Sequence, residues 1–214
     1  MALSGFQKVR IGIMNSIDDE TIKPENIFEV SPKTGGSTVS ASITNLAPTT
    51  TPINGSDTVW KTPGKGTGNV SVAFVANVIP KEVRQRILGM KVGEGFASIG
   101  SDTDSPYCVF EMISHDAQNE DEVSHVTLLK GTFHLGTVDP KTNTNTSVYS
   151  QDQLTYTAVD RQSDNRTYVE AIEDDSFDKK AYETFVYGQE LPEDLGTKPA
   201  TTPDTGSTVT DPKE

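Results

Sequence analysis

Val123 to Asp139 reads VSHVTLLKGTFHLGTVD, with β-branched and aromatic residues throughout and no proline before Pro140. The run predicts one long strand. Leu129, Phe133 and Leu135 fall on one face and Thr132, His134 and Gly136 on the other, while Val126 and Leu128 put apolar bulk on the opposite parity near the start. That change of face beside Gly131 predicts a bulge or a bend. At about 3.3 Å per residue, roughly 15 residues reach about 50 Å, against about 5 to 6 residues in the usual strand. A strand of that length suits a large sheet or an assembled barrel.

The chain has 214 residues, the length of one all-β domain with a tail. The domain is expected over 1–188, and a disordered Thr-, Pro- and Gly-rich tail over 189–214, where almost nothing is available to bury. Hydrophobic residues make up 33% and charged residues 23%, so the apolar ones must concentrate in strands for a core to form. Acids outnumber bases 31 to 18, a net charge of −13. This argues against nucleic acid as a bound ligand, since affinity for phosphate comes mostly from Lys and Arg. Val92 to Leu129 holds eight acids and no Lys or Arg, which reads first as a solvated face.

Cys108 stands alone, so no internal disulfide can form and a buried thiol in a reducing compartment is expected. The N-terminal MALSGFQKVRIGIMN lacks a signal peptide's apolar core, and no window approaches the roughly 18 apolar residues of a membrane span. The expectation is a soluble protein made in the cytoplasm.

Along the chain, Phe6 to Met14 alternates as a first strand and the acidic Asp18 to Glu25 reads as a loop. Ile27 to Ser31 is a short strand ending at Pro32, followed by a turn over Lys33 to Gly36 and a strand over Ser37 to Leu46. Ala47 to Gly68 is a long Pro-, Thr- and Gly-rich loop with Val59 and Trp60 at its middle, and loops of that length are usually functional or disordered. Asn69 to Val78 is a strand, and behind it Pro80, Val83, Ile87 and Gly89 mark one amphipathic helix. Pro106 to Ser114 is a strand joined by an acidic loop, His115 to Glu122, to the long one. A polar loop follows over Pro140 to Ser147. Val148 to Asp160 and Arg166 to Glu173 read as a last hairpin around Ser163-Asp164-Asn165, and Ser176 as the cap of a short second helix through Phe177, Ala181 and Phe185.

No catalytic constellation emerges. Pro63-Gly64-Lys65-Gly66-Thr67-Gly68 lacks the phosphate-loop pattern and precedes a strand. His115, His125 and His134 do not have metal-ligand spacing. The acids of Asp18-Asp19-Glu20 and Glu173-Asp174-Asp175 match no calcium loop. No nucleophile elbow is present. No enzyme, cofactor or metal is expected.

Gly5-Phe6-Gln7-Lys8-Val9-Arg10-Ile11-Gly12, Ile43-Thr44-Asn45-Leu46-Ala47-Pro48, Val59-Trp60, Ile79-Pro80 and above all Val126-Thr127-Leu128-Leu129-Lys130-Gly131-Thr132-Phe133 together resemble the major tail proteins of long-tailed, non-contractile bacteriophages (siphoviruses) of Gram-positive hosts. The likeness runs over residues 5 to 188 in one order. It implies a mainly β fold of two packed sheets, a sandwich of the tail-tube type, with one flanking helix and a short C-terminal one. It also implies hexameric rings stacked into a hollow tube through which genomic DNA leaves without specific binding. Implied partners are further copies of the chain and the tape-measure, tail-terminator and distal tail proteins, in the virion and not in a membrane. On this reading Val59, Trp60, Lys130, Thr132, Phe133 and His134 are candidates for ring or tube assembly. Glu111, Glu120, Asp121 and Glu122 are candidates for a lumen lined by acids. A β-sandwich adhesin or carbohydrate-binding module is the alternative, but it calls for a signal peptide and exposed aromatics, and the chain has one Trp.

Overall fold

The organising strand is real and shorter than expected: in the computed structural model, which describes residues 2–48, 50–62, 64, 66–140, 142, 150–192 and 195, it covers Val123–Leu135. Three strands precede the long loop: β1 (Leu3–Met14), β2 (Ile22–Val30) and β3 (Ser37–Thr44). Within that loop stand β4 (Ile53–Gly55) and β5 (Thr58–Lys61), followed by β6 (Ser71–Val78), helix α1 (Lys81–Ile87) and the small pair β7 (Lys91–Val92) and β8 (Ala97–Ser98). After these come β9 (Tyr107–Asp116), β10 (the Val123 strand), β11 (Asp152–Ala158), β12 (Tyr168–Ile172) and helix α2 (Lys179–Tyr187).

The large sheet runs β2-β1-β9-β10-β11-β6-β3, every neighbouring pair antiparallel, with β12 also on β10. The fold is mainly β, as expected, and consistent with a sandwich. Its two layers are joined through β10. Residues 124–128 of β10 pair with β12 and 131–135 with β11, and the ladder to β9 slips between Leu128 and Gly131. That bulge lies where the change of face predicted it. One layer is therefore β2-β1-β9-β10-β12 and the other β10-β11-β6-β3. Thr38 Oγ1 donates to the Phe6 carbonyl at 3.0 Å, drawing the far end of the second layer back to the first.

The main core fills the space between the layers. Val9, Ile11, Phe110 and Leu128 come from one side, Phe74, Phe133, Leu154 and Tyr156 from the other, and α1 adds Val83 and Ile87 at the end. Phe110 meets Phe74, Phe133 and Tyr156 with ring centroids 5.2–5.3 Å apart. A second cluster lies on the outer face of the first layer beneath α2, with Met14, Ile22, Val109 and Leu129 below Tyr182, Val186 and Tyr187. Because of the bulge Leu129 belongs to this second cluster, not to the face of Phe133, and Leu135 is exposed.

Other expectations are corrected. The loop over Asp18 to Glu25 gives way to β2 at Ile22; Pro24 is tolerated there because β2 is an edge strand. The long loop is not strandless, since β4 and β5 form a hairpin in it. β11 and β12 are not a hairpin: both run antiparallel to β10 along one of its edges. Val159 N donates to Lys130 O at 2.9 Å and Leu129 N to Thr167 O at 3.0 Å, so residues 160–166 are looped out of what is otherwise one broken strand. The cap of α2 is Asp178, which accepts from Ala181 N, while Ser176 bonds Asp174. Its buried residues are Tyr182, Glu183, Val186 and Tyr187; Ala181 and Phe185 face solvent. Leu191 and Leu195 pack partly against the cluster beneath α2, beyond the expected domain end at 188. Residues 193, 194 and 196–214 of the expected tail, and most of Pro140 to Ser147 with the proposed start of a strand at Val148, lie outside the described residues.

Candidate functional site

The assembly candidates separate into two groups. Val59 and Trp60 lie on an arm that grows out of the second layer. β3 and β6 continue as paired chain past the sheet, where Asn45 Nδ2 donates to Asn69 O at 3.3 Å. Gly68 passes so close to the Asn45 and Ala47 carbonyls that a Cβ would lie 2.7 Å from each. At the tip, Ser56 and Asp57 take φ of 52° and 62°, the left-handed pair of a two-residue hairpin turn. β4 and β5 pair with each other and with no other described strand. Trp60 is 74% exposed and Val59 60%, with Ile53 exposed beside them. Successive strand residues point to opposite faces, so Val59 and Trp60 occupy opposite sides of the hairpin, and the arm carries exposed apolar groups on both sides.

Lys130 and Phe133 are different. Phe133 is fully buried in the main core. Lys130 is 2% exposed: its Nζ donates to Ile17 O and Glu20 Oε1 at 2.9 Å each and lies 5.1 Å from the centre of the Tyr107 ring. Glu20 in turn accepts from the amides of Gln162 and Ser163, at 2.7 and 3.1 Å. Burial alone would raise this carboxyl, but the Lys130 hydrogen bond and those amides bring it down to about 2. Both residues are thus internal, and Lys130 fastens the looped-out segment to the bend of β10. Of the same motif, Thr132 is half-buried and His134 exposed, the hydroxyl of one 3.0 Å from Nε2 of the other.

The acids divide likewise. Glu120 and Asp121 are exposed and Glu122 half-buried, in the turn before β10. Glu111 is wholly buried within the protomer, so it is not a wall residue. It sits in register between Arg10 of β1 and Thr127 of β10 on the face that α2 covers. His125 Nδ1 lies 2.8 Å away, the Tyr187 and Tyr182 hydroxyls donate to it at 2.6 and 3.1 Å, and Arg10 approaches to 3.7 Å. Burial works against the charged carboxylate, yet the His125 hydrogen bond and the Arg10 charge hold its pKa below the ordinary value. His125 also reaches Glu173 at 3.0 Å; burial opposes its charge, but the two carboxylates raise its pKa above that of a free histidine. Phe177 stacks over the His125 ring. A carboxylate, a histidine and two tyrosines have the makings of acid–base chemistry, but His125 is only 4% exposed and its donors are engaged. What the cluster does is pin α2 to the sheet. Sequence reading missed it because its members come from β1, β9, β10 and α2 and no local spacing ties them together.

No group of His, Cys, Asp and Glu among the described residues is placed to hold a metal ion, and no described helix is long and apolar enough to cross a membrane. Cys108 is buried and its thiol pushed up by desolvation, away from reactivity. A family model described as phage tail tube protein matches residues 1–191. The chain belongs to that family. Virion tail location and a structural role follow from membership. No curated protein matches the sequence of this tail tube subunit. In the tail tube subunit the tip of the arm is exposed, and the Glu111 cluster is internal.

Proposed function

We propose that the chain builds the tube of a siphovirus of a Gram-positive host: copies close into hexameric rings, rings stack, and the genome leaves through the bore. The arm of one ring seats its Val59 and Trp60 tip on the next ring, and the half-buried Thr132 and exposed His134 lie by the contact between neighbours in a ring. The tube ends on tail-terminator and distal tail proteins and encloses the tape-measure protein. Subunits are made in the host cytoplasm.

The observation that carries this reading is the arm, an extension of the second layer that displays Trp60 and Val59 and is paired with no other described strand. Purified full-length chain viewed by negative-stain electron microscopy should form rings or tubes. Trp60→Ala should keep the fold and lose stacking, since a central aromatic anchor typically contributes at least about 2 kcal/mol to a contact. Wild-type tubes from the variant would remove the arm from the mechanism.

A further inference from the structure

Past Thr132 no residue of β10 pairs with β9, and the chain that leads into β9 lies along the edge this leaves. Residues 99–105 and the second half of β10 enclose a cavity of about 290 Å³. Buried Leu88 lines it, with Ile99 and Leu135, whose own exposures are 49% and 42%; Thr132, His134 and Asp104 add polar groups. The loop side is held from within. Gly100 N donates to Thr103 Oγ1 at 2.8 Å, Thr103 N donates to Gly100 O at 3.1 Å, and Asp102 pairs with Lys91. The cavity is thus formed before anything enters it.

Pockets for drug-sized ligands run from about 300 to 1,000 Å³, so this one has room for a single large side chain. An apolar lining with a carboxylate and a histidine at hand suits Trp, whose ring is apolar and whose indole N–H needs an acceptor. The chain has one Trp, and it stands 74% exposed on the arm. Charge points the same way. Residues 93–105 hold Glu94, Asp102 and Asp104 and no Lys or Arg, while residues 47–68 hold Lys61 and Lys65 against Asp57 alone. The arm leaves from β3 and β6, and β11 stands between those strands and β10. From Thr44 to Ser56 the chain can extend about 40 Å at most, beyond the roughly 25 Å of the eight-residue β6. Its tip can therefore reach past its own subunit.

We propose that this cavity is the socket for Trp60 of a second copy: the arm of one subunit inserts its indole beside Ile99 and Leu135 of a subunit in the next ring. The socket rests on the tube reading above and adds where the arm lands. Insertion takes three exposed apolar side chains out of water, Asp104 accepts from the indole N–H, and the acids of 93–105 draw in the Lys-bearing arm. Thr132 and His134 rim the cavity, so a seated arm lies along the seam between two neighbours of a ring.

Trp60 is its own reporter. In tubes of the full-length chain its emission should shift to the blue and resist acrylamide quenching. A nitroxide on Ser101→Cys, an exposed position of the 99–105 loop, quenches an indole only at close range, and the native Cys108 is buried. Labelled copies also carry Trp60→Phe and are assembled with unlabelled wild-type copies, so that any quenching passes between copies. The mixed tubes should lose Trp60 emission, and the same label on Ala181→Cys, exposed on α2, should leave it intact. Ile99→Asp, at an exposed position, should leave the melting of free subunits unchanged and raise the concentration needed for stacking about thirtyfold, the loss of one central anchor. Blue-shifted emission that the label at position 101 does not quench, or wild-type stacking by Ile99→Asp, would overturn the socket and leave the tube and its arm standing. Trp60 emission that stays exposed in tubes would overturn the arm contact with it, and a chain that forms no tubes would overturn the tube reading as well.

Discussion

The Tyr187 hydroxyl donates to Glu111 Oε2 over 2.6 Å, tying the last turn of α2 to the middle of β9. Both residues are buried, and Glu111 depends on this bond, on Tyr182 and on His125 to keep its charge away from water. Tyr187→Phe keeps the ring in the cluster and removes one donor to a buried carboxylate, a change that costs about 1.5–3 kcal/mol. The urea midpoint should fall accordingly, and amide exchange in α2 should quicken before that of β9. An unchanged midpoint would mean that α2 is held by its apolar face alone.

The same cluster fixes a pH dependence with two limbs. His125 is raised, so its contribution is full below its unfolded value of about 6.5 and is lost as pH rises through the folded value. Glu111 is lowered, so its contribution is present above its unfolded value and is lost as pH falls through the folded one. The groups that face His125 are Glu111, Glu173 and the Tyr182 ring, with Arg10 beyond Glu111. His125→Gln should therefore destabilise most near neutral pH and less as the solution becomes alkaline. A stability gap that stays constant across that range would show that the ring is neutral in the fold.

Lys130→Met tests the bend of β10. Removing one partner of a buried ion pair typically costs about 3–5 kcal/mol. The lower end is expected, because Glu20 is 14% exposed and keeps its two amide donors. Since Glu20 is drawn down to about 2, the deficit should shrink as pH falls from the unfolded value of about 4.3 towards that figure. Wild-type stability for the variant would make the buried lysine dispensable, and the looped-out segment would need another anchor.

How much of this was legible follows from where the signals lay. Strand β10, its bulge at Gly131, the first strand through Val9 and Ile11 and the helix through Val83 and Ile87 were readable, because period and glycine act locally, whereas Phe133, named for assembly, is buried in the core. Gly131 is needed outright: a Cβ there would strike the Thr157 carbonyl and the Tyr156 ring. The false hairpin at Ser163-Asp164-Asn165 shows the limit. A polar turn between two alternating runs looks the same whether the chain reverses or loops out, and only the Lys130 and Glu20 contacts, more than a hundred residues apart in sequence, decide it. Lys130 and Glu111 were named as surface groups because charge is normally solvated, and each is instead paired by strands remote in the chain. Trp60 was found through its isolation in a polar loop, but the β4–β5 hairpin that displays it was hidden by short strands and a turn placed at Ser56-Asp57, not at Asn54-Gly55.

Electron cryo-microscopy of tubes assembled from the full-length chain tests the central claim most directly. The account expects stacked rings around a hollow bore, with the Trp60 hairpin of each subunit seated against the adjacent ring. Tubes in which that hairpin touches no neighbouring ring, or a preparation that yields only separate subunits, would contradict it.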